Sequence, residues 1–231
     1  MEQFFIYYKL KFNMNWLRNN GLSLVFLLLF LFSLGAQAFT GWKEYNEEMQ
    51  EAGGQPLDFG PYLTTAHFSE ATFENWESEF LQMALFVVLS MFLYQKGSSE
   101  SKDPDKAEKV DRDPKYNQKK NAPWPVRKGG LVLTLYQHSL SIALTLLFLL
   151  SLLWHFKASR LDYNQHQVLR HLPTETASQY LTNPKFWFES FQNWQSEFLS
   201  VLAIIFLSIY LRQKNSPQSK PVDAPHTETG D

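Results

Sequence analysis

Apolar blocks of membrane length alternate with strongly polar segments along this chain, and that alternation leaves few architectures open to it. Residues 22–39 carry only Ser23, Ser33 and Gln37 as polar side chains, and residues 140–156 only Ser141, Thr145, Ser151 and His155. About 20 apolar residues suffice to cross the roughly 30 Å of hydrocarbon in a bilayer. A third block, 80–94, is short for a span, so the polar stretch before it must belong to the same helix. A fourth follows Asn183-Pro184, where a capping side chain precedes a proline suited to a first helical turn. The mean hydropathy of -0.28 describes none of these blocks, because the polar segments dilute it.

The polar stretch before the third block occurs twice. Phe73-Glu74-Asn75-Trp76-Glu77-Ser78-Glu79-Phe80-Leu81 returns as Phe191-Gln192-Asn193-Trp194-Gln195-Ser196-Glu197-Phe198-Leu199, 118 residues later. In the same ungapped register Leu22, Ser23, Phe30, Ser33, Tyr45 and Asn46 fall on Leu140, Ser141, Phe148, Ser151, Tyr163 and Asn164. Tyr62-Leu63-Thr64 falls on Tyr180-Leu181-Thr182, and Gln95-Lys96 on Gln213-Lys214. Chance matching of leucines does not align Asn-Trp, Tyr-Leu-Thr and Gln-Lys together. The chain therefore reads as two copies of one unit: helix, loop, helix, charged tail.

This predicts an all-α membrane protein with four transmembrane helices, arranged as two parallel helical-hairpin repeats. Residues 1–20 form a cytoplasmic segment, of which 1–13 read as a start-site extension before Met14. Repeat 1 covers 21–96, with helices at about 21–40 and 66–95. A charged linker covers 97–128, repeat 2 covers 129–214 with helices at about 131–156 and 184–212, and a tail covers 215–231. Linker and tail read as disordered, since neither holds the apolar area that folding needs. Ala36-Gln37-Ala38 also fits a signal-peptidase site, but the counterpart of the first helix lies mid-chain, and a retained helix is the preferred reading.

Lys and Arg number nine between 102 and 128, against the single Lys43 in the loop of 41–72. By the positive-inside bias the termini and linker are cytoplasmic and the two long loops external. Each unit has an even number of crossings, so the repeats are related by an axis along the membrane normal. There is no cysteine, which removes disulfides and thiolate sites. A net charge of -2 without a basic, aromatic-rich patch gives no case for nucleic acid. The expected partners are the lipid bilayer and other membrane proteins or a second copy.

The residues also resemble a family: a group of small bacterial multi-pass membrane proteins defined as a domain of unknown function. The likeness rests on Asn75-Trp76-Glu77-Ser78-Glu79-Phe80, on the run from Phe188 to Phe198, and on Arg212-Gln213-Lys214 with Ser219-Lys220-Pro221. It extends over nearly the whole chain from Met14. It implies an integral protein of the bacterial inner membrane and supplies no activity.

Few residues invite chemistry. Trp76 and Trp194 at helix entrances read as interfacial anchors. Glu79 and Glu197 open apolar runs, where an ionised carboxylate is costly unless paired. With Asn75, Asn193, Gln37 and His155 they would form a polar cluster at the external helix ends that orders the helices or passes a proton or cation. The preferred alternative leaves each carboxylate in water, stabilised by its helix dipole. Ser33, Ser151, Ser90 and Ser208 read as small packing residues. His166 and His171 stand at i, i+5 and do not share a helix face. No catalytic, cofactor or metal residues are expected, so the chain is read as a non-enzyme with a structural or interaction role. A small transporter or channel working through Glu79, Glu197, Gln37 and His155 is the alternative.

Overall fold

Long apolar runs without proline favour helix, and the computed structural model is built on them. It describes residues 2–114, 116 and 121–230, with side chains from Asn15 onward. Part of the linker, 115 and 117–120, lies outside the described residues, as do Asp231 and the side chains of the expected 1–13 extension. Among the described residues the regular structure is helical and no strand occurs.

Helix α1 spans Glu2–Glu51, 50 residues or about 75 Å. It does not stop near residue 40 as expected. Polarity marks where the apolar run ends, but the helix continues because Tyr45 and Met49 still bury one face against Tyr62, with Trp42, Leu57 and Phe68 packed around them. Gly53 ends it: in the left-handed region at φ +75, it lets Gly54 N–H reach Met49 C=O at 2.7 Å.

After the short helix α2, Phe59–Tyr62, comes α3, Ala66–Leu89, capped by the Thr65 hydroxyl, which accepts from Phe68 N–H at 3.2 Å. Helix α4, Trp124–Lys128, and α5, Gly130–Gln137, precede α6, Ser139–Leu169. A break at His138 thus divides the expected 131–156 helix. Helix α7 is Ala177–Tyr180, and α8 is Pro184–Tyr210, with Asn183 capping Lys185 N–H at 2.9 Å. Helix α3 is central, packed along α6 and more briefly along α8, while α1 touches α3 and lies largely apart.

Two helices, α1 over Asn15–Glu51 and α6, are long and apolar enough to cross a membrane. Their apolar side chains face outward: Phe32 of α1 is 76% exposed and Leu153 of α6 65%. Helix α3 stops at Leu89, short of the expected 95, and α8 at Tyr210. After both helices the same turn follows, with Gln95 N–H donating to Ser101 Oγ at 2.8 Å and Gln213 N–H to Ser219 Oγ at 2.9 Å.

The start of the linker and the described tail pack on each other where the sequence reads as disorder. Lys220 is buried in the tail, and its Nζ donates to the carbonyls of Pro225, His226 and Glu228 at 3.2, 3.2 and 2.7 Å. Gly97 N–H donates to Thr229 Oγ1 at 2.8 Å and Gly230 N–H to Ser98 C=O at 3.0 Å, so the two segments hold each other. Gly97, at φ +89, has no room for a Cβ beneath His226 C=O. Composition speaks only to apolar burial; in the tail a buried ammonium gathers three backbone carbonyls instead.

The two polar loops are tied down by one device used twice. Asn46 Nδ2 donates to Leu57 C=O at 2.9 Å and its Oδ1 accepts from Leu57 N–H at 2.8 Å. Asn164 does the same with Glu175, at 2.8 and 2.7 Å. Asn46→Ala and Asn164→Ala each leave a backbone N–H unpaired, while Leu57 C=O keeps Trp42 Nε1 at 2.7 Å and Glu175 C=O keeps Arg160 Nη1 at 3.4 Å, so each is expected to cost about 1 to 3 kcal/mol in thermal unfolding of the detergent-purified chain. A melting temperature unchanged in both variants would contradict this account of the loops.

Candidate functional site

The first turns of α3 and α8 and the far end of α6 are polar on the faces they present to one another. They lie beyond the apolar runs, at the end of the molecule that carries α2 and α7. At the boundary, Glu77 and His155 are each fully buried. Glu77 of α3 accepts from His155 Nδ1 of α6 at 2.6 Å and from Trp194 Nε1 of α8 at 2.9 Å. A carboxylate only accepts, so Nδ1 carries the hydrogen. One side chain thereby joins three helices.

His155 Nε2 points to Glu189 Oε2 at 3.6 Å, beyond hydrogen-bond reach. Glu189 is held from other directions: Ser159 Oγ donates to its Oε2 at 2.9 Å, and Lys185 Nζ lies 2.7 Å from its Oε1. Tyr180 OH donates in turn to Ser159 Oγ, at 2.6 Å. Lys185 also meets Glu70 at 2.5 Å, and Asn193 Nδ2 donates to Glu74. Asp162 of α6 completes the group, 5% exposed, with Oδ2 3.3 Å from His166 Nδ1.

Carboxylates outnumber bases here, and protonation follows. Burial first, then the charge of Asp162, pushes the Glu70 carboxyl up to about 7, with Lys185 pulling the other way. Burial works to lower Lys185, but the charges and hydrogen bonds of Glu70 and Glu189 raise it above the usual ammonium range. Glu189, held below the usual carboxylate range by its donors despite burial, suffices to keep Lys185 charged. The extra proton therefore belongs to Glu70 and Asp162, and Asp162 is likewise raised by burial.

Of the residues singled out from sequence, the structure gathers His155, Asn193 and Trp194 into this cluster. Gln37 stands apart on α1, donating to Thr72 Oγ1 at 3.4 Å. Asn75 is exposed and bonds back to Ala71 C=O at 2.7 Å. Glu79 is exposed and Glu197 half-buried, and neither joins His155. Trp76 packs on Phe30 and Phe73, with ring centroids 6.0 and 5.2 Å apart. The carboxylate that meets His155 is Glu77, two residues before Glu79 and on another helix face.

Glu70, Glu77, Ser159, Asp162, Lys185 and Glu189 were not anticipated, although a signal for most of them lies in the sequence. In the 118-residue register Glu77 falls on Gln195, Gln37 on His155, Glu70 on Phe188, Ala71 on Glu189, His67 on Lys185 and Gly41 on Ser159. The ionisable site is built where the two copies differ. Positions where they agree, such as Asn46 and Asn164, carry loop geometry instead.

Breaking a buried pair strands a charge and typically costs 3 to 5 kcal/mol. Glu77→Gln and His155→Gln are each expected to lose about 3 kcal/mol, and the double variant less than their sum, because removing both partners leaves no unpaired buried charge. Additive losses in chemical denaturation would remove the Glu77–His155 coupling.

A second expectation concerns pH. Glu70 faces Glu74 on its own helix, Asp162 and His166 on α6, Lys185 and Glu189 on α8, and Glu48 across the adjoining cavity. Its folded-state pKa is raised from 4.5 to about 7, so the folded chain holds that proton more tightly than the unfolded one. Stability is full below the lower value and falls as pH rises from it through the upper one, by about 3 kcal/mol. Glu70→Gln is expected to flatten this fall in melting temperature; an equally steep profile in the variant would refute the assignment.

A family model described as Domain of unknown function (DUF6766) matches residues 13–231. No curated protein and no solved structure matches the chain.

Proposed function

The chain belongs to this family of unknown function, and from that premise we propose that it is a multi-pass integral protein of the bacterial inner membrane with a structural or interaction role. The observation that carries the reading is the outward-facing apolar surface of α1 and α6, which water would not tolerate over such lengths. Four crossings are proposed. Helices α3 and α8, of 24 and 27 residues, reach about 36 and 40 Å, enough for a bilayer with polar ends protruding.

Parallel hairpin repeats are supported by side chains at matched positions. Gln82 Nε2 donates to Ser200 Oγ at 3.1 Å, and these residues are 118 apart, as expected where a two-fold axis passes between copies. The matched asparagine ties of both loops point the same way. The distribution of Lys and Arg favours cytoplasmic termini and linker, with α2, α7 and the polar cluster outside. In this reading the cluster replaces hydrophobic packing between α3, α6 and α8, which lipid would not drive. The proposed role is non-catalytic, and its partners are lipid and other membrane proteins or a second copy.

A second reading, a small transporter or channel, is favoured by the cavity beside the cluster, whose lining includes the buried Glu70 and Asp162. Its acid and base groups would be Glu77, Glu189 and Glu70 with His155, in place of Glu79 and Glu197.

Reporter fusions in 97–128 and in 41–58 test the topology. The first should report from the cytoplasm and the second from outside, with the protein retained in membranes through carbonate extraction. A linker reporter found outside would overturn the orientation.

A further inference from the structure

In the 118-residue register α6 corresponds to residues 21–51 of α1, and α3 to residues 184–207 of α8. Helix α6 packs along α3, so the same operation would lay α1 along α8. It does not: α1 touches its own α3 and has no comparable contact with α8. The fold thus forms once an interface for which the sequence carries the parts twice.

Both unused faces are open. On α6 the side toward α3 is closed, with Ser151, His155, Ala158 and Asp162 at 5% exposure or less. Of their counterparts on α1, Ser33, Thr40 and Glu44 are exposed and Gln37 is half-buried. On α3, Glu70, Glu77 and Ala84 are buried. Their counterparts Phe188, Gln195 and Leu202, at i, i+7 and i+14, form an exposed stripe along α8. That stripe borders the packed α3–α8 interface, where Asn193 and Trp194 bond Glu74 and Glu77, and Ser200 accepts from Gln82.

The chain's own α1 is held elsewhere. Phe30 lies against Trp76 of α3 with ring centroids 6.0 Å apart, Tyr45 and Met49 pack on Tyr62, and Tyr45 OH accepts from Gln165 Nε2 of α6 at 2.7 Å. These contacts use an adjoining face of α1 and leave that of Ser33 and Thr40 free.

We propose that the α8 stripe is covered by α1 of a second copy, running antiparallel to it as α6 does to α3, and that the exchange is reciprocal. Each chain offers one face of each kind, so two copies close around a two-fold axis and leave neither open. The inference rests on the membrane reading: copies that share a bilayer and an orientation hold Gln37 and Gln195 at matching depths, as His155 and Glu77 are matched within one chain. Two amides donate and accept mutually, a neutral counterpart of the ionic pair. Lipid would cover Leu202 equally well, but it would not single out the small Ser33 and Thr40, which let a neighbouring backbone approach closely.

Because the chain has no cysteine, disulfide crosslinking in native membranes reads the contact directly. Gln37→Cys and Gln195→Cys, on two differently tagged full chains expressed together, should link under oxidant into a band of twice the chain mass that carries both tags. Phe32→Cys, on another face of α1, should not link to Gln195→Cys. Ser33→Trp added to the Gln37→Cys chain should abolish the two-tag band while carbonate extraction stays that of the parent chain. Absence of the two-tag band, an equal band from Phe32→Cys, a band that survives Ser33→Trp, or a link formed only within one chain that carries both cysteines would each overturn the proposal. A chain that resists carbonate and shows no link loses the pairing and keeps the membrane reading, whereas one released by carbonate loses both.

Discussion

A single carboxylate, Glu77, sits without solvent between three helices and accepts from His155 on one and Trp194 on another. Removed from water, it is stable only while both donors hold their places. That requirement sets the mutual height of α3, α6 and α8, because a shift by one residue would withdraw a donor and leave a buried charge. Apolar side chains on these helices do not impose such a register. In lipid they would be equally satisfied by the surrounding chains, so a polar tie is what selects one packing from many.

From this tie the remaining polar groups follow in sequence. His155 turns its second nitrogen toward Glu189, which gathers Ser159 and Lys185; Lys185 brings in Glu70, and Glu70 faces Asp162. Each addition adds a carboxylate faster than a base, until the last pair must share a proton.

At the opposite end of the helices a different solution appears. Lys220 is buried beneath three carbonyls, and the start of the linker clasps the tail through Gly97, Ser98, Thr229 and Gly230. The charged composition of these segments argued for disorder because it counts only apolar area. It does not count an ammonium satisfied by backbone oxygen, which needs no apolar core.

What the sequence by itself determined is the part governed by local chemistry and by repetition. The all-helical class, the apolar runs of α1 and α6, the cap at Asn183 and the 118-residue register can all be read without coordinates, because each depends on the chain alone. Helix ends were less legible: α1 runs past residue 40 because Tyr45 and Met49 find partners in Tyr62, a contact remote in sequence. The site was least legible. Glu79 looked the better candidate by its place at the edge of an apolar run, yet its face of α3 is exposed, whereas Glu77 faces His155. Only tertiary structure decides which face of a helix meets which neighbour, and a two-residue difference turns a carboxylate from solvent to the centre of three helices.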